Sequence, residues 1–259
     1  MKEIGLNLYS LRTLISDEAG FLDTAIKLRE MGYTFLQYSG GPYDHEMIAR
    51  VSKESDLPVV LTHVPLDRIV SDTEALMEEH AVFGCKNIGL GAMGSSVLLD
   101  EKNCKETIEK LNAAGEKMQK NGFAFYYHNH HHEFYKYNGV TVFDYMLENA
   151  PYINFTFDTY WAQFGGVSVA DYVEKLKGRI GCVHLKDYRI EAKTKDDGKP
   201  TVAPVFAPVG CGNIDFKSLV PKMLASGTEY FIVEQDNAVE FTSPLGEVKK
   251  SVDYIKKEL

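Results

Sequence analysis

The chain has 259 residues, of which 44% are apolar and 25% are charged, a composition typical of a globular protein with a large buried core. The formal net charge of -9 disfavours binding to phosphate backbones, and no local basic patch offsets it, so we expect no nucleic-acid partner. Four cysteines are widely spaced without a CxxC pair, which is typical of reduced thiols rather than a disulfide framework.

The amino-terminal segment MKEIGLNLYSLR lacks the basic and long apolar regions of a signal peptide. No apolar run elsewhere approaches the length needed to span a bilayer. We therefore expect a cytoplasmic protein without a membrane partner. The sequence leaves the oligomeric state open, a homo-oligomer included.

Strand-like and helix-like segments alternate along the chain. Short β-branched or alternating apolar runs indicate strands, and segments with one apolar helical stripe, often closed by glycine, indicate helices. The predicted strands are 4–9, 33–38, 57–63, 86–90, 123–128, 152–157, 179–185 and 229–233. The predicted helices are 18–31, 45–55, 71–83, 100–119, 141–149, 168–176, 216–226 and 245–257.

Eight alternations at nearly regular spacing, with no linker rich in glycine, serine or proline, predict a single (β/α)8 TIM barrel over residues 1–259. An open doubly wound sheet is the alternative, but segment 7–12 has no glycine fingerprint in its first turn. Ser71 is expected to cap the third helix, and a long polar connection is expected before helix 216–226.

Polar side chains follow the apolar runs of several predicted strands. From strand three to strand eight they are His63, His128, Asp158, His184, Lys186 and Glu234. Because the carboxyl ends of the strands in a TIM barrel share one face, we expect these side chains to point to a common centre. Imidazole and carboxylate are both good ligands for divalent ions. The sequence therefore predicts a metal site on this face.

The segment 123–134, FAFYYHNHHHEF, contains half of the chain's eight histidines and passes from a buried strand into imidazoles and a carboxylate. His128, His130 and Glu133 are the candidates for metal binding or proton transfer. A tract of solvated, idle histidines is the alternative interpretation.

Several of these residues also have structural interpretations. Asp158 could cap a helix, and His63 could be a buried core histidine. Lys186 could pair with Asp187 at the rim, and Trp161 could be core filler or a wall for a sugar ring. Glu234 is harder to explain this way, since an ionised carboxylate after the apolar run FIV costs several kcal/mol unless it is paired or metal-bound.

The motifs GLNLYSLR, THVPLDRI, GFAFYYHNHHHEF, FDTYW, VHLKD, PVGCGNIDF and VEQD occur in this order. On them, essentially the whole chain resembles the sugar phosphate isomerase/epimerase family, which has xylose isomerase-like barrels and includes ketose 3-epimerases, inosose dehydratases and endonuclease IV-type nucleases. The resemblance implies a metal held by residues that fall here on His128, Asp158, His184 and Glu234. The family usually has glutamate at the first position, so either His128 is the ligand or Glu133 folds back to replace it.

The resemblance implies a metal-dependent isomerase, epimerase or lyase acting on a sugar, keto-sugar or cyclitol. Mn²⁺ is the expected ion, and Mg²⁺, Co²⁺ and Zn²⁺ are alternatives. A proton next to a metal-polarised carbonyl would be removed by Glu234 or by the pair of His130 and Glu133. Lys186 would stabilise the resulting enediolate.

His63, Trp161 and Arg189 are expected to contact the substrate; Trp161 replaces a family histidine, and Arg189 lies near a family arginine. His128 in place of a glutamate disfavours a two-glutamate epimerisation. The histidines of strand five favour elimination, because a leaving oxygen needs a proton donor near neutral pH. Endonuclease IV-type phosphodiesterase chemistry and a non-catalytic sugar-binding barrel are the alternative functions, and few basic residues near the site favour an unphosphorylated substrate.

Overall fold

The computed structural model describes residues 3–259. Eight short parallel strands form a closed barrel in which each strand pairs with its neighbours along the chain, and the last pairs with the first. The strands are β1 (Gly5–Asn7), β2 (Phe35–Tyr38), β3 (Val59–His63), β4 (Asn87–Leu90), β5 (Ala124–His128), β6 (Ile153–Asp158), β7 (Cys182–Leu185) and β8 (Tyr230–Val233). The predicted TIM barrel is confirmed.

Helices follow the strands and surround the barrel. They are α1 (Glu18–Met31), α2 (His45–Ser55), α3 (Leu66–Ser71), α4 (Thr73–Val82), α5 (Ser95–Leu98), α6 (Glu101–Lys120), α7 (Val142–Asn149), α8 (Thr159–Phe164), α9 (Val169–Lys175), α10 (Phe216–Ala225) and α11 (Pro244–Glu258). Short 3-10 helices span Leu8–Leu14, His132–Phe134 and Ala238–Glu240. Within residues 3–259, no helix combines the length and hydropathy needed to cross a bilayer.

The third predicted helix, 71–83, corresponds to α4, but its predicted cap is wrong. A further helix, α3, precedes α4, and Ser71 is the last residue of α3 rather than a cap. Helix α3 begins directly after Pro65, which is its N-cap, has extended backbone and makes no side-chain cap hydrogen bond. The side chain of Thr73 donates to the Ile69 carbonyl and joins the two helices at their junction.

The long polar connection expected after β7 is a β-hairpin, which was not predicted. Its strands, Asp187–Thr194 and Pro200–Ala207, pair in antiparallel register. Alternating side chains on both sides of a glycine, Gly198, are the sequence signals that could have revealed it, and in the structure Gly198 has φ of +80° at the turn. Near the barrel, Tyr188 and Phe206 of this hairpin pack against Tyr160.

The strand register brings the polar strand ends together. His184 on β7 lies opposite Asp158 on β6, and His128 on β5 lies opposite Thr156. The strands below these ends are buried along nearly their whole length, as expected for a parallel sheet that is covered on both faces. The polar residues therefore emerge at one end of the barrel from an apolar base.

Candidate metal centre

Four side chains from the ends of β5, β6, β7 and β8 converge at the centre of this face. They are His128, Asp158, His184 and Glu234, each no more than 4% exposed. One potential ligand atom from each side chain lies within 4.8 Å of the others. In the part of the chain that the structure describes, this is the group found with metal-type ligands, and Glu133 is not a member of it.

The tautomer of His128 follows from its contact with a backbone carbonyl. Its Nδ1 lies 2.9 Å from the carbonyl oxygen of Gly91, which can only accept, so Nδ1 carries the proton. In the neutral ring, Nε2 then carries a lone pair and no proton. This lone pair lies 3.4 Å from Asp158 Oδ2 and 3.9 Å from Glu234 Oε2. Three acceptor atoms so close together are repulsive unless a proton or a cation lies among them.

His184 presents its other nitrogen to the same point. Its Nε2 lies 2.6 Å from the Oε1 of Gln37 and donates to it. Its Nδ1 lies 2.9 Å from Glu234 Oε2 and 3.8 Å from Asp158 Oδ2. Despite this proximity, Nδ1 has no hydrogen-bond partner among the described residues.

The donor set fits a divalent ion. Two imidazole lone pairs and two carboxylate oxygens supply the mixed ligands that Mn²⁺, Zn²⁺ and related ions accept. Ligand bonds of about 2.0–2.2 Å place neighbouring ligand atoms about 3–4 Å apart. The four nitrogen–oxygen distances within the cluster, 2.9, 3.4, 3.8 and 3.9 Å, match that spacing. The unsatisfied Nδ1 of His184 is the observation that a proton-only account of the site leaves unexplained.

Lys186 lies beside the cluster and is held by carboxylates. Its Nζ lies 2.8 Å from both oxygens of Asp236, 3.2 Å from Glu234 Oε2 and 3.9 Å from Asp158 Oδ2. It does not pair with Asp187, whose oxygens accept backbone N–H bonds from Gly210, Gly212 and Ile214. The rim-pairing alternative for Lys186 is therefore wrong.

The buried charges shift one another's pKa values in opposite directions. Burial opposes charge on Lys186, but the surrounding carboxylates overcome it and raise its pKa, so the ammonium stays charged. Burial likewise opposes charge on His184, yet Glu234 and Asp158 raise its pKa to about 9. For Glu234, Lys186 and His184 outweigh burial and lower the pKa. Without a metal ion, these imidazole and ammonium charges neutralise the carboxylates.

An open cavity of about 280 Å³ lies above the cluster. His63, His128, His130, Lys186, Glu234 and Asp236 line its polar part, and Tyr9, Ser39, Gly91 and Ala92 line the rest. The structure thus brings His63 and His130 to the same cavity as the four converging side chains. Its volume is about that of a single sugar or cyclitol ring with solvent.

Glu133 lies apart from this cavity. It is fully buried, and its two oxygens accept hydrogen bonds of 2.7 Å from the Tyr127 hydroxyl and from the backbone N–H of His130. The contact with His130 therefore passes through the backbone and not through the ring. The pKa of Glu133 is raised by burial, although these two hydrogen bonds oppose the rise.

Trp161 lies beside the candidate metal site, whereas Arg189 lies on the hairpin. The ring centroid of Trp161 lies 5.2 Å from that of His130, and Lys186 Nζ lies 5.0 Å from the indole centroid. Asp158 caps the helix that carries Trp161, since its Oδ1 accepts from the Trp161 N–H at 2.8 Å while its Oδ2 faces the cluster. Arg189 lies on the hairpin, pairs with Glu191 and is not among the residues that line the cavity.

Three residues that orient the cluster were not predicted as site residues. The Asn7 side chain donates to Glu234 Oε1 at 2.7 Å, Gln37 binds His184, and Asp236 binds Lys186. Asn7 and Gln37 lie at the carboxyl ends of β1 and β2, so the strand-end rule could have found them. Asp236 follows Glu234 by two positions, and only the structure reveals that it reaches the lysine.

The fold and the cluster define a TIM barrel with a candidate metal centre at the carboxyl ends of β5–β8. The family model for xylose isomerase-like TIM barrels matches residues 26–258, and the chain belongs to that family. Inosose dehydratase of Geobacillus thermodenitrificans (strain NG80-2) is 26% identical over 218 residues, covering 76% of this chain and 72% of that protein.

Solved structures agree with this fold. A sugar phosphate isomerase/epimerase from Parabacteroides distasonis ATCC 8503 superposes with a TM-score of 0.81 and 23% identity, covering 99% of this chain and 98% of that one. A xylose isomerase-like TIM barrel protein from Mycobacterium smegmatis, solved in complex with magnesium, has a TM-score of 0.68 and 14% identity, covering 99% and 96%.

Proposed function

We propose that this protein is a divalent-metal-dependent lyase that dehydrates a keto-sugar or keto-cyclitol. The observation that carries the proposal is the convergence of His128, Asp158, His184 and Glu234 beneath a cavity of sugar size. A bound divalent ion, with Mn²⁺ as the expected one, would polarise a substrate carbonyl and acidify the neighbouring C–H bond. The inosose dehydratase relative supports this reaction class.

Glu234 is the proposed base. It lines the cavity, and its Oε1 is fixed by Asn7 while its Oε2 faces Lys186. In this position it can accept the proton from the carbon next to the substrate carbonyl. Lys186 remains protonated beside it, so we assign the lysine to stabilising the negative charge that develops on the substrate oxygen.

Loss of the β-hydroxyl completes the reaction. The C–H electron pair forms the new double bond, the C–O bond breaks, and the departing hydroxyl takes a proton and leaves as water. His130 lines the cavity, but burial lowers its pKa to about 2, so its ring is neutral and does not supply this proton. Asp236 is the proposed donor, since it lines the cavity and burial raises its pKa despite the contact with Lys186.

The side chains across the cavity favour elimination over epimerisation. Epimerisation by two carboxylates needs a base on each face of the substrate carbon, and this cavity has imidazole from His128 where the family has its second glutamate. Elimination needs one base and one donor. Glu133 cannot restore the second carboxylate without breaking its hydrogen bonds to Tyr127 and the His130 backbone, so we assign it to positioning the His130 loop.

We propose an unphosphorylated substrate. Among the described residues that line the cavity, Lys186 is the one lysine or arginine, and three carboxylates already surround it. Tyr9, Ser39, Gly91 and Ala92 form the remaining wall and carry no cationic group. A phosphate dianion would lack the arginine or lysine contacts that usually hold it.

An assay with an inosose and a panel of unphosphorylated ketohexoses tests the proposal. Loss of one water is followed by mass spectrometry in D₂O, with protein stripped of metal and then reloaded with Mn²⁺. We expect water loss that requires the metal and disappears in Glu234→Gln. Water loss that survives exhaustive chelation and also this substitution would refute the proposal; deuterium exchange without water loss would replace the lyase with an isomerase or epimerase.

A further inference from the structure

Gln37, at the end of β2, joins two imidazoles through the two ends of its amide. Its Oε1 lies 2.6 Å from His184 Nε2, and its Nε2 lies 2.7 Å from His63 Nε2. The amide is fully buried, so both contacts are made without competition from solvent. A primary amide accepts at one end and donates at the other, and the two rings must therefore carry their protons differently.

The oxygen end of the amide determines which nitrogen of His184 faces the carboxylates without a required proton. Since Oε1 accepts, His184 Nε2 carries a proton, and Nδ1, which faces Asp158 and Glu234, is the nitrogen whose lone pair a metal ion would take in place of a proton. Nδ1 has no hydrogen-bond partner among the described residues, which agrees with this assignment. The amide thus holds the ring in the form that a metal ion needs.

The nitrogen end of the amide determines the tautomer of His63, and it leaves Nε2 of this ring without a proton. Because Gln37 Nε2 donates, His63 Nε2 is the acceptor and the proton of the neutral ring lies on Nδ1. That nitrogen is 3.4 Å from the Ser39 hydroxyl, and His63 and Ser39 both line the cavity. His63 would thereby offer an N–H group on the cavity side.

We propose that Gln37 is a positioning residue that sets both tautomers, giving His184 a lone pair for the metal and His63 an N–H for the substrate. The proposal rests on the proposed function for the identity of the metal and the substrate. The tautomer of His63, however, is a property of the metal-free protein. It can therefore be tested even if no metal binds.

Two substitutions separate the two effects. In Gln37→Glu, a carboxylate accepts from both rings, so His184 keeps its lone pair on Nδ1 while the His63 proton moves to Nε2. In Gln37→Leu, neither ring has a partner, and the orientation of His184 is lost. A control is Asn154→Leu, which removes a β6 side-chain amide that binds the Phe125 carbonyl and contacts no imidazole.

The experiment combines ¹⁵N NMR with metal titration. Ring ¹⁵N shifts in metal-free protein at pH 8 report which nitrogen of His63 is protonated, and Mn²⁺ binding is measured by counting free Mn²⁺ by EPR. We expect Nδ1–H in the parent protein and Nε2–H in Gln37→Glu. We expect Mn²⁺ affinity to fall about 10- to 100-fold in Gln37→Leu and to change less than about 3-fold in Gln37→Glu and in the control.

The outcomes distinguish this proposal from the proposed function. A His63 proton on Nε2 in the parent protein, or an unchanged tautomer in Gln37→Glu, would overturn the inference, as would Gln37→Leu binding Mn²⁺ as tightly as the parent. A parent protein that binds no Mn²⁺ would reject the proposed function and the His184 half of the inference, and the His63 shifts would still decide the other half. Circular dichroism verifies that each variant is folded.

Discussion

The two halves of the barrel contribute differently to the site. Strands β5–β8 supply the four side chains that converge, whereas β1–β4 and their loops supply groups that hold them. Asn7 of β1 binds Glu234, Gln37 of β2 binds His184, and the Gly91 carbonyl after β4 accepts from His128. One half would bind the metal, and the other fixes the direction in which each ligand presents its lone pair.

A substitution among the four converging side chains of β5–β8 should have the largest effect. Asp158→Asn removes one of the two carboxylate charges at the centre while preserving the shape of the side chain. We expect activity and Mn²⁺ affinity to fall by more than the roughly 100-fold upper range typical of outer-shell substitutions. Parallel assays of turnover and Mn²⁺ binding check this. Asp187→Asn, at a neighbouring buried carboxylate that accepts only backbone N–H groups, from Tyr188 and from the loop 210–214, is the contrast.

Lys186→Met tests how far the lysine ammonium compensates the buried carboxylates of the site. Removing the ammonium leaves Asp158, Glu234 and Asp236 buried without their cation, so the metal-free protein should lose about 3–5 kcal/mol of unfolding free energy. Urea unfolding measures the change. Saturating Mn²⁺ should restore part of this loss, because the ion replaces positive charge at the same carboxylates; no restoration would argue against metal binding there.

His80 and His184 are buried imidazoles in opposite halves with opposite pKa shifts. Burial lowers the pKa of His80 to about 4, although the Leu76 carbonyl opposes the fall. A base with a lowered folded-state pKa contributes stability above its unfolded value near 6.5 and loses it as the pH falls from 6.5 towards 4. We expect a loss of about 2–3 kcal/mol between pH 7.5 and pH 4.5 from this group.

Urea unfolding at these two pH values, compared with His80→Gln, isolates the contribution of His80. The substitution should remove most of this pH-dependent loss while lowering stability at pH 7.5. An identical pH dependence in the variant would contradict the prediction.

Substitutions in β1–β4, whose side chains hold the converging residues, should lower Mn²⁺ affinity less. Asn7→Leu removes the donor to Glu234 Oε1 without changing any of the four converging side chains. We expect a loss of about 10-fold in Mn²⁺ affinity with the fold intact. Isothermal titration measures it, and an effect as large as that of Asp158→Asn would erase the distinction between the two halves.

Glu133→Gln should have the smallest effect on chemistry. Because Glu133 binds the Tyr127 hydroxyl and a backbone N–H, the amide oxygen can retain one of these contacts. We expect less than about 10-fold loss in turnover, as for a positioning residue. A loss of 1,000-fold or more at unchanged Mn²⁺ affinity would instead restore Glu133 as a proton carrier.

The sequence predicted the two halves unequally. His128, Asp158, His184 and Glu234 could be found because each ends an apolar run, and barrel geometry brings such ends together. Gln37 was not predicted as a site residue. Its contacts depend on register across the barrel, which no local pattern contains.

Two other features required the structure. Asp236 reaches Lys186 through the turn after β8, and the choice between His128 and Glu133 depends on the loop that directs Glu133 toward Tyr127. In both cases the deciding contact is made by a loop, and the conformation of a loop leaves no hydrophobic periodicity in the sequence.

Metal content and stoichiometry test the central claim most directly. Protein that is stripped, reloaded with Mn²⁺ and freed of excess by gel filtration should retain about one ion per chain by elemental analysis, and the Glu234→Gln variant should retain almost none. The parent protein should then release water from a keto-polyol only when loaded. Equal retention in parent and variant, or water release by the stripped protein, would contradict the account.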